Sequence, residues 1–276
     1  MPRSLRQRQT LASFDYQWGH IPAGDAMLSD EWFLARVDRI VAEELLGIER
    51  GWFAGKTALD AGCGGGRWTL GLLRLGCRVL AVDASGHAVA ATRAQMERLA
   101  PEAVAEGRLE TGLADLLNLP STLAERRFDL VFSFGVLHHT GDTRGALAHL
   151  AHLVGPGGVL FLYLYGSRSA PRAARALVNT VRLALSPLPF AAKRAVLARL
   201  LPGRDTHQAF DLLSPTINET IADATVEGWL REEGFTEVAR TLPHTDLFLR
   251  ASRTANAVPL RPPPVPPYWF DRYRRK

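Results

Sequence analysis

The sequence predicts an α/β fold with a doubly wound, mostly parallel sheet of seven strands. Three observations carry this. Apolar runs at 57–61, 77–83, 128–134 and 159–165, with a further strand near 108–112, alternate with helical patterns, and that alternation calls for parallel strands covered by helices on both faces. A glycine-dense turn, Leu59-Asp-Ala-Gly-Cys-Gly-Gly-Gly-Arg-Trp-Thr69, leads from the first strand into a helix. Toward the C-terminus a helix at 225–233 ends at Gly234, and two runs, 235–241 and 245–251, flank Pro243 as a closing strand pair.

The glycine turn is built for close approach. Clustered glycines let backbone reach a ligand where any Cβ would clash, and the helix start that follows offers free N–H groups. Gly62, Gly64 and Gly66 follow Asp60, but a dinucleotide fingerprint needs a small residue where Arg67 stands. A pyrophosphate site is therefore disfavoured. The second strand ends in Asp83 about 20 positions further on, the place from which a carboxylate accepts hydrogen bonds from ribose hydroxyls. The fourth strand, Phe-Asp-Leu-Val-Phe-Ser, exits through Phe134-Gly-Val-Leu-His-His139. The helix from Arg144 to Leu153 and the turn Gly155-Pro-Gly-Gly158 then deliver the fifth strand, ending at Tyr165.

Over residues 55 to 165, and more loosely beyond, the chain resembles the class I S-adenosylmethionine (SAM)-dependent methyltransferases, whose first motif is Asp-x-Gly-x-Gly-x-Gly after a hydrophobic strand. The resemblance implies a Rossmann-like sheet with an antiparallel last strand, SAM as cofactor and S-adenosylhomocysteine as product. It also implies that the glycine turn packs on the methionine part of SAM, whose carboxylate meets the helix start. Asp115, opening Asp-Leu-Leu-Asn-Leu-Pro, corresponds to the acid that takes the adenine amino group, with the N–H of Leu116 serving the ring; alternatively Asp115 caps the turn before Pro120. The cofactor-binding set is then Asp60, Gly62, Gly64, Gly66, Arg67, Asp83, Ala84, Asp115, Leu116 and Phe134, joined by Trp18 from the N-terminal segment. Family members that methylate exocyclic amines of nucleic-acid bases carry Asn- or Asp-Pro-Pro-aromatic where this chain has Phe134-Gly-Val-Leu137. Base methylation is disfavoured.

The flanks divide the chain into an N-terminal lid and helical segment (1–50), the core (51–165), a helical cap inserted after the fifth strand (166–223), the end of the core (224–255) and a Pro-rich basic tail (256–276). Phe14-Asp-Tyr-Gln-Trp-Gly-His20 is an aromatic cluster of the kind that closes over a ligand, with Tyr16 and Trp18 as lid residues; equally, its rings staple an N-terminal helix to the domain. Residues 30–46 follow as an amphipathic packing helix. Between Gly166 and Arg204 the cap has eight basic residues and no acid, with helices at Arg172–Leu185 and Ala191–Leu201. Two roles are open to it: resting on an anionic membrane or gripping an acidic substrate, or lying with its apolar side on the domain and a solvated basic face outside. The tail, Pro259-Leu-Arg-Pro-Pro-Pro-Val-Pro-Pro followed by Tyr268-Trp-Phe, reads as an extended arm docking on the cap or a neighbouring subunit, as in a homodimer, or as disorder.

Composition narrows the function. A chain of 276 residues, 47% hydrophobic, buries a substantial core without staples. Cys63 and Cys77 suggest reduced residues and neither reads as a metal ligand. No secretory signal and no apolar run near the roughly 20 residues of a bilayer span is present, so a cytoplasmic protein is expected. The charge of +5 comes without a nucleic-acid module. The expected reaction is transfer of the sulfonium methyl to a small-molecule acceptor, oxygen before nitrogen or carbon. His138 or His139 is the candidate base, because imidazole titrates near working pH. Tyr16, His20, Tyr165, His207 and Asp211 are candidate substrate contacts, chosen because their segments border the pocket. A membrane-surface enzyme for a quinone or lipid headgroup, and a non-catalytic SAM-binding partner protein, are the alternatives.

Overall fold

A computed structural model describes residues 3–21, 26–201, 206–254, 258 and 264–274. Helix α1 (Leu5–His20) opens the chain under a capping box, in which the Ser4 side chain accepts from the N–H of Gln7 and the Gln7 side chain accepts from the N–H of Ser4. The sheet and its helices follow as β1 (Thr57–Ala61), α2 (Arg67–Arg74), β2 (Arg78–Asp83), α3 (Gly86–Leu99), β3 (Leu109–Leu113), β4 (Phe128–Phe134), α4 (Thr143–Leu153) and β5 (Val154–Leu164). Three cap helices come next: α5 (Arg172–Leu185), α6 (Phe190–Leu200) and α7 (Thr206–Leu213). Helix α8 (Asp223–Glu232), β6 (Glu237–Arg240) and β7 (Leu247–Ser252) complete the core.

The strand order is β3-β2-β1-β4-β5-β7-β6. β7 runs antiparallel to both β5 and β6, and the other neighbouring pairs are parallel. The predicted sheet is therefore present, with its reversal of order between β1 and β4, where open α/β sheets bind ligands. Successive residues of each strand serve opposite faces. Ala58, Val79, Ala81, Leu130, Phe132, Val159 and Phe161 join one core, whereas Leu59, Ala61, Leu80, Val82, Val131, Leu160 and Leu162 join the other. The near-continuous apolar strands of the sequence follow from this burial on both sides.

Four expectations are corrected. Residues 30–46 form no single helix, but short turns at Glu31–Leu34 and Val37–Arg39 and a π-helical segment at Ile40–Leu46. The turn Gly155–Gly158 is absorbed into β5 as an irregularity between the pairs Phe128–Val154 and Leu130–Val159. The third cap helix, α7, carried no sequence signal that separated it from the linker before it. In the tail, Pro259–Pro263 lie outside the described residues, while Trp269 and Phe270 pack on the core rather than on the cap. Among the described residues no helix is long and apolar enough to cross a membrane.

Helix α2 lies against the 37–46 segment so closely that a Cβ on buried Gly71 would come 2.6 Å from the Val41 side chain and 3.1 Å from the Val37 carbonyl. Helix propensity favours alanine there by about 1 kcal/mol, but overpacking a tight contact costs about 1–3 kcal/mol. Gly71→Ala is expected to destabilise the protein by about 1–2 kcal/mol in urea unfolding; a stabilised variant would show that the two segments slide apart without cost.

Candidate active site

The floor is set by the glycine turn. Beyond β1 the N–H groups of Gly62 and Cys63 both donate to the Val82 carbonyl, at 2.8 and 2.9 Å, which fixes the turn to β2. Gly64 N–H then donates to Asp83 Oδ2 at 3.0 Å, and Ser85 N–H to Oδ1 at 2.9 Å. Each Asp83 oxygen thus holds one backbone proton and keeps accepting capacity at the cavity wall. Burial pushes the Asp83 carboxyl above the usual range, against the pull of those N–H groups. Ala84, Asp115, Leu116, Phe134 and Arg67 lie on the same wall, the Arg67 guanidinium 5.5 Å from the Trp68 ring centre.

Asp60 and Gly66 do not reach the wall. Asp60 is fully buried and accepts the Thr69 hydroxyl at 2.6 Å; burial pushes its carboxyl up to about 7, with Asp83 adding repulsion. Gly66, with φ of 86°, lets α2 close on α3, where a Cβ would meet Met96 and Thr92 at 3.2 Å. Both residues hold the turn in shape.

Helix α1 is the roof. Gln7, Thr10, Leu11, Phe14, Gln17 and Trp18 line the cavity at the spacing of one helical face. The Trp18 ring closes directly over Gly64 and Gly65, where a Cβ would come within 2.6 and 2.8 Å of it. The helix is tied down on both sides, by the Ser85 hydroxyl to Asp15 at 2.7 Å and by the Ser13 hydroxyl to Ser214 at 2.6 Å. Ahead of it, Arg3 pairs with Asp115 Oδ2 at 2.6 Å. The other Asp115 oxygen accepts the Leu117 N–H at 3.0 Å, so Asp115 serves its turn and faces the cavity together.

The far wall is aromatic and polar. Phe134, Tyr163 and Tyr165 come from β4, β5 and the residue after β5, while His207 and Asp211 come from α7. Of the two adjacent histidines, His139 lines the cavity. Its Nδ1 lies 2.9 Å from the Ile217 carbonyl. A carbonyl only accepts, so Nδ1 carries the proton and Nε2 is left basic. Burial holds this imidazole below its ordinary pKa, and Asp211 and the Ile217 carbonyl partly oppose that. His138 instead lies fully buried behind the wall, stacked on Tyr165 at 4.0 Å, with neither ring nitrogen partnered among the described residues. Burial depresses its basicity further still.

Tyr16 and His20 also leave the candidate set. They stack on each other at 4.5 Å, and Tyr16 packs on Phe190 and Phe210 of the cap, so the pair staples α1 to the cap outside the cavity. Residues not foreseen take part instead. Trp269, Phe270 and Tyr273 of the tail close one side of the cavity. The Trp269 backbone N–H donates to Glu44 Oε2 at 2.9 Å, its ring meets Trp68 edge-on at 5.2 Å, and the Tyr273 hydroxyl donates to Asp30 Oδ2 at 3.2 Å. No local sequence signal announces these contacts, whereas the 7-10-11-14-17-18 spacing of α1 was readable. The cavity volume is about 480 Å³, within the range of small-molecule sites. Among the described residues no group of three metal-ligating side chains is gathered.

Comparison with known proteins adds to this geometry. Residues 59–160 match the family described as a methyltransferase domain. The chain is 39% identical over 116 residues to the mitochondrial ubiquinone biosynthesis O-methyltransferase of Schizosaccharomyces pombe, covering 41% of this chain and 39% of that protein. It is 31% identical over 189 residues to the ubiquinone biosynthesis O-methyltransferase of Xanthomonas euvesicatoria, covering 66% and 63%. The chain thus spans less than two thirds of the length of these relatives. Among solved structures, magnesium protoporphyrin IX methyltransferase from Synechocystis with SAM bound aligns at a TM-score of 0.56 and 19% identity, over 92% of this chain and 100% of that one. An O-methyltransferase family protein from Burkholderia thailandensis aligns at 0.55 and 19% identity, over 84% and 59%. These two likenesses establish the fold.

The buried Asp60 makes stability pH-dependent. In the folded protein its carboxyl holds a proton up to about 7, against an ordinary value of 3.8. Between those values the native state binds a proton that the unfolded chain has released, so stability falls as pH rises through the window. Asp60→Asn keeps an acceptor for Thr69 and removes the titration. Urea unfolding from pH 4 to 8 is expected to show the native protein losing up to about 4 kcal/mol relative to this variant; parallel pH profiles would assign the buried proton elsewhere.

Proposed function

Because residues 59–160 of this chain form a methyltransferase domain within a Rossmann-like fold, we propose that the protein moves the methyl group of SAM onto an oxygen of a small aromatic acceptor. One observation carries the reading: one cavity is lined both by Gly64, Asp83 and Asp115 and by His139, whose Nδ1 is held on the Ile217 carbonyl. Asp83 would accept from the ribose hydroxyls, Asp115 and the Leu116 N–H would serve the adenine, and the Gly62–Gly65 backbone would lie along the methionine portion. The residues fit, because Asp83 retains acceptor capacity at the wall and the glycines leave the turn without side chains. When bound, SAM supplies an electrophilic sulfonium methyl with a good leaving group; alignment and dryness are the protein's share.

Oxygen is favoured because a hydroxyl acceptor must lose a proton and His139 is placed to take it. As the hydroxyl transfers its proton to Nε2, the imidazole becomes cationic while Nδ1–H stays on the Ile217 carbonyl, and the Asp211 carboxylate on the same wall stabilises that charge. An aromatic acceptor is favoured by the rings of Phe134, Tyr163, Trp269 and Phe270. Similarity to the ubiquinone biosynthesis O-methyltransferases supports the same acceptor class. On this reading the protein works in the cytoplasm on a small molecule rather than on nucleic acid. A cavity that gathers the glycine turn, Asp83 and a histidine base on its walls argues against a non-catalytic scaffold.

S-adenosylhomocysteine is expected to bind the native protein, and either Asp83→Ala or Gly64→Val to weaken that binding by at least about tenfold in calorimetry while the fold persists by circular dichroism. Gly64 has φ of 53° and lies under the Trp18 ring, so valine disturbs both backbone and roof. Wild-type affinity in both variants would remove the cofactor assignment.

His139→Ala is expected to lower kcat by about 10²- to 10⁴-fold with cofactor affinity intact. His138→Phe, which keeps the stack on Tyr165, should leave kcat within about threefold. The native kcat/KM should rise with pH through a pKa below the ordinary 6.5 of imidazole, the direction set by burial of His139. Equal loss in both histidine variants, or a flat profile, would point to positioning alone.

A further inference from the structure

The polar groups of the C-terminal tail are met by anchors in the fold, with one exception. The Tyr268 N–H donates to Asp271 Oδ2 at 2.8 Å, Arg272 Nε donates to Asp30 Oδ2 at 3.4 Å, and the Arg272 guanidinium lies 5.0 Å from the Trp32 ring centre. Together with the Trp269 backbone on Glu44 and the Tyr273 hydroxyl on Asp30, these contacts fasten the tail to the 30–46 segment. The exception is the indole N–H of Trp269. This residue is only 5% exposed, yet its Nε1 has no hydrogen-bond partner among the described residues. A buried indole ordinarily finds an acceptor, and phenylalanine would fill the place without stranding a donor.

Two such unpartnered buried atoms belong to residues of the cavity wall, Trp269 Nε1 and Gln17 Oε1. Gln17 is engaged with α7, its Nε2 lying 2.9 Å from His207 Nδ1. Trp269 stands beside the glycine turn instead, because its ring meets Trp68 edge-on at 5.2 Å and Trp68 is the second residue of α2. This part of the wall favours an anion. Gly66 has no side chain to cap the first N–H groups of α2, where the helix dipole is positive. The Arg67 guanidinium lies on the same wall, 5.5 Å from the Trp68 ring centre. An indole N–H donates and cannot accept, so it adds to that preference.

We propose that Trp269 is a cofactor-binding residue whose Nε1–H donates to the methionine carboxylate of SAM, so that the C-terminal tail reads the amino-acid end of the cofactor. That carboxylate is the one anionic group SAM carries, and a hydrogen bond to it is charge-assisted. Glu44 sets the donor in place by holding the Trp269 backbone. The inference rests on SAM as the proposed cofactor and assigns to it a residue far in the chain from the glycine turn, Asp83 and Asp115.

The test compares S-adenosylhomocysteine with S-adenosyl-3-thiopropylamine, which differs from it only in lacking the carboxylate, by calorimetry on the full chain. The native protein should bind S-adenosylhomocysteine at least about tenfold more tightly than the analogue. Trp269→Phe, which keeps a ring against Trp68, should weaken S-adenosylhomocysteine about tenfold and the analogue less than about threefold. Circular dichroism checks the fold of the variant. A second measurement needs no substitution: in native protein isotopically labelled at tryptophan, the Trp269 indole proton should move downfield in the magnetic resonance spectrum with S-adenosylhomocysteine and not with the analogue. Equal losses for both ligands in Trp269→Phe, or an indole proton indifferent to the carboxylate, overturn the inference and leave the cofactor assignment standing. Failure of the native protein to bind S-adenosylhomocysteine removes the cofactor assignment, and this inference with it.

Discussion

The glycine turn after β1 is held from below and pressed from above, and the rest of the site depends on that. Below, two N–H groups share the Val82 carbonyl and Gly64 N–H meets the Asp83 carboxylate. Above, the Trp18 ring leaves no room for a side chain on Gly64 or Gly65. The first and second strands are thereby joined at their C-terminal ends. The carboxylate that makes this joint is the one left facing the cavity. Structure and ligand recognition use the same atoms, so neither can drift without the other.

Buried ionisable groups surround this joint in a graded way. Asp60, farthest in, is kept protonated by burial well past the ordinary carboxylate range, and Asp83 beside it is also raised. Two neighbouring charges are avoided by holding one proton. At the other end the gradient has the opposite sign. His138 and His139 are both pushed toward the neutral form, but His139 alone has a carbonyl to fix its tautomer and a carboxylate nearby to favour its cation. Two adjacent imidazoles acquire different chemistry from which side of the 3₁₀ turn at Leu137–His139 each one occupies.

Closure of the cavity is assembled from both ends of the chain. Helix α1 roofs it, the tail residues Trp269, Phe270 and Tyr273 wall one side, and α7 walls another. The cap joins these walls through Leu197 and Phe210, which pack with Ile21 and Tyr16, and through the buried Arg182.

The sheet was legible in the sequence because β1, β2, β4, β5 and β7 are mainly apolar runs punctuated by residues of distinct chemistry, Asp60 and Asp83 above all, and period and punctuation are local properties. The glycine turn, Asp83 and Asp115 were likewise readable as a nucleoside pocket, since their spacing is set along one βα unit after another. What the sequence left open was every choice between neighbours. His138 and His139 share a composition and a context, and only the Ile217 carbonyl, distant in the chain, separates base from filler. Tyr16 and Trp18 lie two positions apart on one helix, 200° of rotation, so one staples the cap and the other covers the glycines. Trp269 entered the cavity through contacts with Glu44 and Trp68 that no local pattern encodes. Local order follows from short-range sterics and burial period, which the chain carries residue by residue; the orientation of a side chain across a cavity is decided by groups far away in the chain, and it exists only once they have met.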